Sequence, residues 1–218
     1  MRKIILLITT LYFSILSIAA QTKPPFWDDV QTIKKYDQLF KPPVHPVLFV
    51  GSSSIRKWDN LTQVFAKYNA LNRGIGGAVI NDITFYLNDV VFPYEPRQIV
   101  LYVGENDIIN DKVTADTVLN RTVALYKAIR AKLPVTPIAY ISIKPSPSRD
   151  KFRDKAVASN ELIKKFLAGE KNTSFIDIFP RMLQDGKSRS ELFVDDMLHM
   201  NPDGYAIWEK AVKPYLIK

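Results

Sequence analysis

The stretch Val47-Leu48-Phe49-Val50-Gly51-Ser52-Ser53-Ser54-Ile55-Arg56 decides the fold. Its four apolar residues in a row read as a strand buried on both faces, the signature of a parallel sheet covered by helices on each side. Pro42, Pro43 and Pro46 stop any helix arriving from upstream, and Gly51 with three serines turns the strand into a new helical pattern. Working outward, further strands are expected at Ala70–Asn72, Ile99–Val103, Pro137–Ile143 and Ser174–Ile178. Helix-like stretches separate them at Ile55–Lys67, Val79–Asp89, Ala115–Lys132 and Asp150–Leu167, and Pro202–Leu216 closes the chain behind an Asn201 N-cap. Phe26–Phe40, with Val30, Ile33, Tyr36 and Phe40 at rough helical spacing, reads as a packing helix ahead of the first strand. Five strands alternating with helices give one three-layer α/β/α domain on a parallel sheet, whose ligands bind where the loops leave the carboxyl ends of the strands.

Composition agrees with a single core. The 218 residues are 47% hydrophobic and 24% charged, which excludes long-range disorder and a multi-span membrane protein. Residues 1–20 place Arg2 and Lys3 before an apolar run ending in Ala19-Ala20, the layout of a secretory signal peptide, so the chain is expected to be exported to a periplasmic or extracellular space. The run is about long enough to span a bilayer, which leaves an uncleaved amino-terminal anchor open. Residues 21–46 then form a lead and packing helix, and 47–218 the main domain. With no Cys, the chain has no disulfide framework and no thiolate metal site. Removing Arg2 and Lys3 lowers the formal charge from +8 to +6; the remaining cations are dispersed rather than interleaved with aromatics, so no nucleic-acid partner is expected.

The strand-end loops carry the residue types of acyl-transfer chemistry. After the first strand stand the serines; after the second, Asn72-Arg73-Gly74-Ile75-Gly76-Gly77; after the third, Gly104-Glu105-Asn106-Asp107; near the carboxyl end, Asp196-Met197-Leu198-His199. Each alone has a structural reading: the serines as an N-cap, Asn106 as a turn residue, Asp196 and His199 as a local pair. Only two histidines exist, and His45 precedes the first strand at the wrong edge of the sheet, so His199 is the candidate general base for Ser53. The loop Lys144-Pro145-Ser146-Pro147-Ser148-Arg149 follows the fourth strand, where it is expected to rim the pocket, its prolines stiffening the connection.

These blocks together resemble the SGNH (GDSL-type) hydrolases, a family of esterases and lipases with a flavodoxin-like fold, over about Val47 to Lys218. The resemblance implies a five-stranded parallel sheet and makes Ser53 the nucleophile, with Ser52 standing where the family usually has Asp. It implies oxyanion donors at the backbone N–H groups of Ser53 and Gly77 and the Asn106 amide, with Asp196 and His199 as orienting acid and base. Asp195 is offset by one from that Asp-x-x-His spacing. No cofactor or metal is implied.

Other readings fit less well. An α/β-hydrolase elbow needs glycine where Ile55 stands, and no Gly-Lys-Ser/Thr follows Gly51 as a P-loop requires. The expected activity is removal of short acyl groups, acetyl foremost, from carbohydrate through an acyl-enzyme. Lipid esterase, lysophospholipase, thioesterase and a catalytically silent carbohydrate- or lipid-binding protein are the alternatives. The expected partner is a small-molecule or carbohydrate acyl ester, with no stable membrane insertion once the leader is removed.

Overall fold

The computed structural model describes residues 23–218, so the expected leader at 1–20 and the first two residues of the lead lie outside it. In chain order the described residues form α1 (Trp27–Leu39), β1 (Val47–Gly51), α2 (Ser53–Arg56), α3 (Leu61–Val64), β2 (Ala70–Gly74), α4 (Ile80–Phe85), α5 (Leu87–Val90) and β3 (Gln98–Tyr102). There follow α6 (Ala115–Lys132), β4 (Ile138–Ile141), α7 (Arg153–Ala168), β5 (Thr173–Ile176), a small hairpin of β6 (Leu183–Gln184) and β7 (Lys187–Ser188), and α8 (Pro202–Val212).

The central sheet is wholly parallel, in the order β2-β1-β3-β4-β5. The expected three-layer, flavodoxin-like architecture is the one observed. Period-two alternation splits each strand between two cores. Leu48, Val50, Ile99, Leu101, Ile138 and Tyr140 face one side, under α4 to α7 and Val30 of α1. Val47, Phe49, Val100, Tyr102, Ala139 and Ile141 face the other, under α2, α3 and α8. Strand order reverses around β1, so the loops after β1 and β3 flank the crevice where ligands bind in such sheets.

Two expected helices are broken. Ile55–Lys67 divides into α2, α3 and a short 3-10 turn because Trp58 drops into the second core. Its ring stacks on Tyr205 at 5.2 Å and meets Phe49, Phe65 and Trp208 edge-on at 5.5 to 5.9 Å. Such aromatic pairs are worth about 0.5–1.5 kcal/mol each beyond the area they bury, enough to outweigh continued helix through Asp59-Asn60. Val79–Asp89 breaks at Tyr86, where the backbone leaves helical geometry (φ −93°, ψ 12°) and the side-chain hydroxyl donates to Pro25 O at 2.6 Å. The helix expected from Asp150 begins at Arg153, after a 3-10 turn over Pro147–Phe152. Asn201 caps α8 as expected, accepting from Asp203 N and Gly204 N at 3.0 and 3.1 Å.

At the amino edge of the sheet, Gln98 clamps the chain's tail: its amide donates to Tyr215 O at 2.7 Å and accepts from Ile217 N at 3.0 Å. No described helix is long and apolar enough to cross a membrane.

Candidate active site

Ser53 is the first residue of α2, directly off the carboxyl end of β1. Among the described residues neither the Ser53 nor the Gly77 backbone N–H makes a hydrogen bond, so both donors are free to meet an oxygen. The Gly77 N–H is turned by a left-handed φ of 82°, a conformation that strains other residues. The neighbouring glycines serve packing instead. A Cβ on Gly74 would lie 2.3 Å from Arg56 N, and one on Gly76 2.3 Å from the Arg56 guanidinium, so Gly74 lets α2 press onto β2. Of the three glycines in this block, Gly77 alone has a positive φ.

Asn106 lies in the turn after β3. Its Nδ2 donates to Ala78 O at 3.1 Å, which leaves a second amide hydrogen available. Asp107, buried beside it, accepts from Arg121 at 2.6 Å and from Ile80 N at 3.0 Å. Burial raises the Asp107 carboxyl above its ordinary pKa despite those donors. Together the two residues tie the Gly77 loop to the Asn106 turn.

The last component stands on a tight loop outside the sheet. Phe193 bridges Met200, Val194 N donates to His199 O at 2.9 Å, and Met197 takes a left-handed φ of 54° at the bend. Inside this loop Asp196 Oδ1 accepts from Leu198 N at 2.9 Å and His199 N at 2.8 Å, while Oδ2 lies 2.5 Å from His199 Nδ1. Burial alone would raise the Asp196 carboxyl, but these donors overcome it and hold it well below the usual carboxylate range. An ionised Asp196 accepts a hydrogen bond from Nδ1–H, which leaves Nε2 as acceptor, and Nε2 lies 2.9 Å from Ser53 Oγ. Such a relay can take a proton from Ser53 and return it to a leaving group. Lys57 Nζ sits 3.5 Å from His199 Nδ1; since both are donors, this places a charge nearby rather than making a hydrogen bond.

Thus Ser53, Asp196 and His199, 146 residues apart at the extremes, come together, and the Asn106 and Gly77 loops are joined beside each other. Asp195 makes no such contact with His199. His45 lies at the amino edge, exposed, its Nδ1 2.8 Å from Glu95 O. Ser52 is buried, and its Oγ has no partner among the described residues; its backbone braces the turn, donating to Tyr102 O and accepting from Ile55 N and Arg56 N. Sequence reasoning missed Glu105 and Lys144. These are paired under the site at 2.6 Å, each three residues beyond the end of its strand, where a charged side chain reads as an ordinary exposed loop residue.

The sequence model of the GDSL-like lipase/acylhydrolase family matches residues 49–207, a span holding every one of these groups. Over 173 residues, 77% of this chain and 73% of the relative, the sequence is 29% identical to the rat platelet-activating factor acetylhydrolase IB subunit alpha2. A GDSL-like lipase structure from Bacteroides thetaiotaomicron superposes with a TM-score of 0.72 at 18% identity, covering 86% of this chain and 97% of that one. An acetyl-xylooligosaccharide esterase from Geobacillus gives 0.63 at 16%, covering 80% and 95%. At these identities the two structures speak for the fold.

Proposed function

The chain belongs to the GDSL-like lipase/acylhydrolase family and is an ester hydrolase, and on that premise we propose that it removes short acyl groups, acetyl foremost, through Ser53, His199 and Asp196. The observation carrying the proposal is the continuous relay from Ser53 Oγ through His199 to Asp196, at 2.9 and 2.5 Å. His199 Nε2 takes the serine proton as Oγ attacks the ester carbonyl, and Asp196 steadies the imidazolium. The tetrahedral oxyanion is met by the free N–H groups of Ser53 and Gly77 and the second amide hydrogen of Asn106. His199 then protonates the departing alcohol, and water attacking by the same route releases the acid.

Acetyl is favoured because the rat relative and the Geobacillus esterase, unlike in their alcohols, are both named for acetyl esters. The alcohol proposed is carbohydrate. A cleft of about 420 Å³ on the Lys57 side of His199 supports it, with Lys57, Asp59 and Asn60 offering polar groups next to Tyr205. An acetylated glycerophospholipid is the second reading, favoured by the name of the rat relative. Export, proposed from residues 1–20, would place the enzyme where polymeric carbohydrate is met.

The test is turnover of p-nitrophenyl acetate, butyrate and octanoate, followed by acetylated xylan against a 2-acetyl glycerophospholipid. Rates should fall with chain length and favour xylan. Ser53→Ala should abolish labelling by an organophosphonate and lower kcat at least about 10⁴-fold. Undiminished labelling in that variant removes Ser53 from the mechanism.

A further inference from the structure

The loop after β4, read from sequence as a stiff rim, carries a cation beneath the site. Lys144 is fully buried, and its Nζ donates to Glu105 Oε1 at 2.6 Å and to Leu198 O at 2.7 Å. Glu105, nearly as buried, also accepts from Ser146 Oγ at 3.1 Å and from the Tyr102 hydroxyl at 2.9 Å. Glu105 is peptide-bonded to Asn106, and Leu198 to His199. One ammonium group therefore spans the turn holding the amide donor and the loop holding the imidazole.

We infer that the Glu105–Lys144 pair is a positioning strut that sets the spacing between Asn106 and His199. The inference rests on the proposed roles of Ser53, His199 and Asn106. The Leu198–His199 peptide is gripped at both ends: its carbonyl oxygen by Lys144, its N–H by Asp196 Oδ1 at 2.8 Å. Rotation of that peptide would swing the imidazole away from Ser53, and a cation on one end with a carboxylate on the other opposes it. A second tie, Ser148 N to Met197 O at 3.0 Å, fastens the same two loops. Burial pushes the Lys144 ammonium toward its neutral form and Glu105 opposes that push, so the pair is interdependent. A buried ion pair is a poor way to gain stability, since apolar residues of similar volume commonly serve the fold as well. What an apolar pair cannot do is aim a carbonyl.

The experiment separates those two tasks. In Lys144→Met/Glu105→Met both charges go together, and the melting temperature should stay within several degrees of the parent while kcat for p-nitrophenyl acetate falls about 10- to 100-fold at nearly constant KM. Native kcat in the folded double variant overturns the strut. Should that variant not fold, Ser146→Ala and Tyr102→Phe each delete one hydrogen bond to Glu105 and spare the pair. A loss in kcat of about two- to tenfold is expected in each, and native kcat in both overturns the proposal. The imidazole Nδ1 proton resonance of His199, simple to assign with two histidines, reads the strut without turnover. It should shift or broaden in the variants; an unmoved resonance counts against the strut even if Ser53→Ala shows that the serine reading itself has failed.

Discussion

Ser53 and Asn106 leave directly from the ends of β1 and β3, whereas Asp196 and His199 stand on a loop belonging to no strand of the main sheet. The first pair inherits its position from five parallel strands and two packed cores. The second depends on a few polar contacts: the Asp196 bonds within the loop, the Lys144 contact to Leu198 O, and Asn201 reaching back to Glu191 O at 2.7 Å. The difference teaches that hydrogen bonds only trim a position the sheet already sets in the amino-terminal half of the site, whereas in the carboxyl-terminal half they set the position themselves. Substitutions that spare the sheet should therefore hurt the second half without unfolding the protein.

Asp196→Asn breaks this contrast most strongly. With the carboxylate removed from His199 Nδ1, the proposed mechanism expects kcat to fall about 10³- to 10⁴-fold while the far-ultraviolet circular dichroism stays native. The same residue predicts a pH dependence. Because its carboxyl is held below the unfolded value, its contribution to stability is complete above about pH 4 and is lost as pH falls through the folded-state pKa. The melting-temperature gap between parent and Asp196→Asn should accordingly narrow in acid; a gap constant down to pH 2 would contradict it. Asn106→Ala tests the sheet-held half and should cost about 10² to 10³ in kcat with little change in KM. Full activity would leave the oxyanion to the two backbone donors. The smallest effect is expected at Ser52, whose buried hydroxyl lacks a partner among the described residues. Ser52→Ala removes a burden of about 1–3 kcal/mol and should melt at or slightly above the parent temperature, with kcat within about twofold.

What was legible in the sequence was local, and what was not depends on partners far along the chain. The strands of the sheet were readable because burial on both faces writes a continuous apolar run, as in Val47–Val50. Ser53, Asn106, Asp196 and His199 were readable as blocks because each sits at a fixed offset from a strand end or within one short loop. Helix continuity past Trp58 was not, since the pull on that ring comes from Tyr205 and Trp208, about 150 residues downstream. The β6–β7 hairpin went unseen, although Asp185-Gly186, with φ of 49° and 73°, is a recognisable two-residue turn. The Glu105–Lys144 contact joins residues 39 apart, and nothing local to either announces the other.

The Gln98 clamp has a practical consequence. It fastens the tail near Tyr215 and Ile217 to the beginning of β3, at the pole of the molecule opposite Ser53. A linker added behind Lys218 thus departs away from Ser53, so the enzyme can be immobilised on a solid support by that terminus with the Ser53 face still presented to solution.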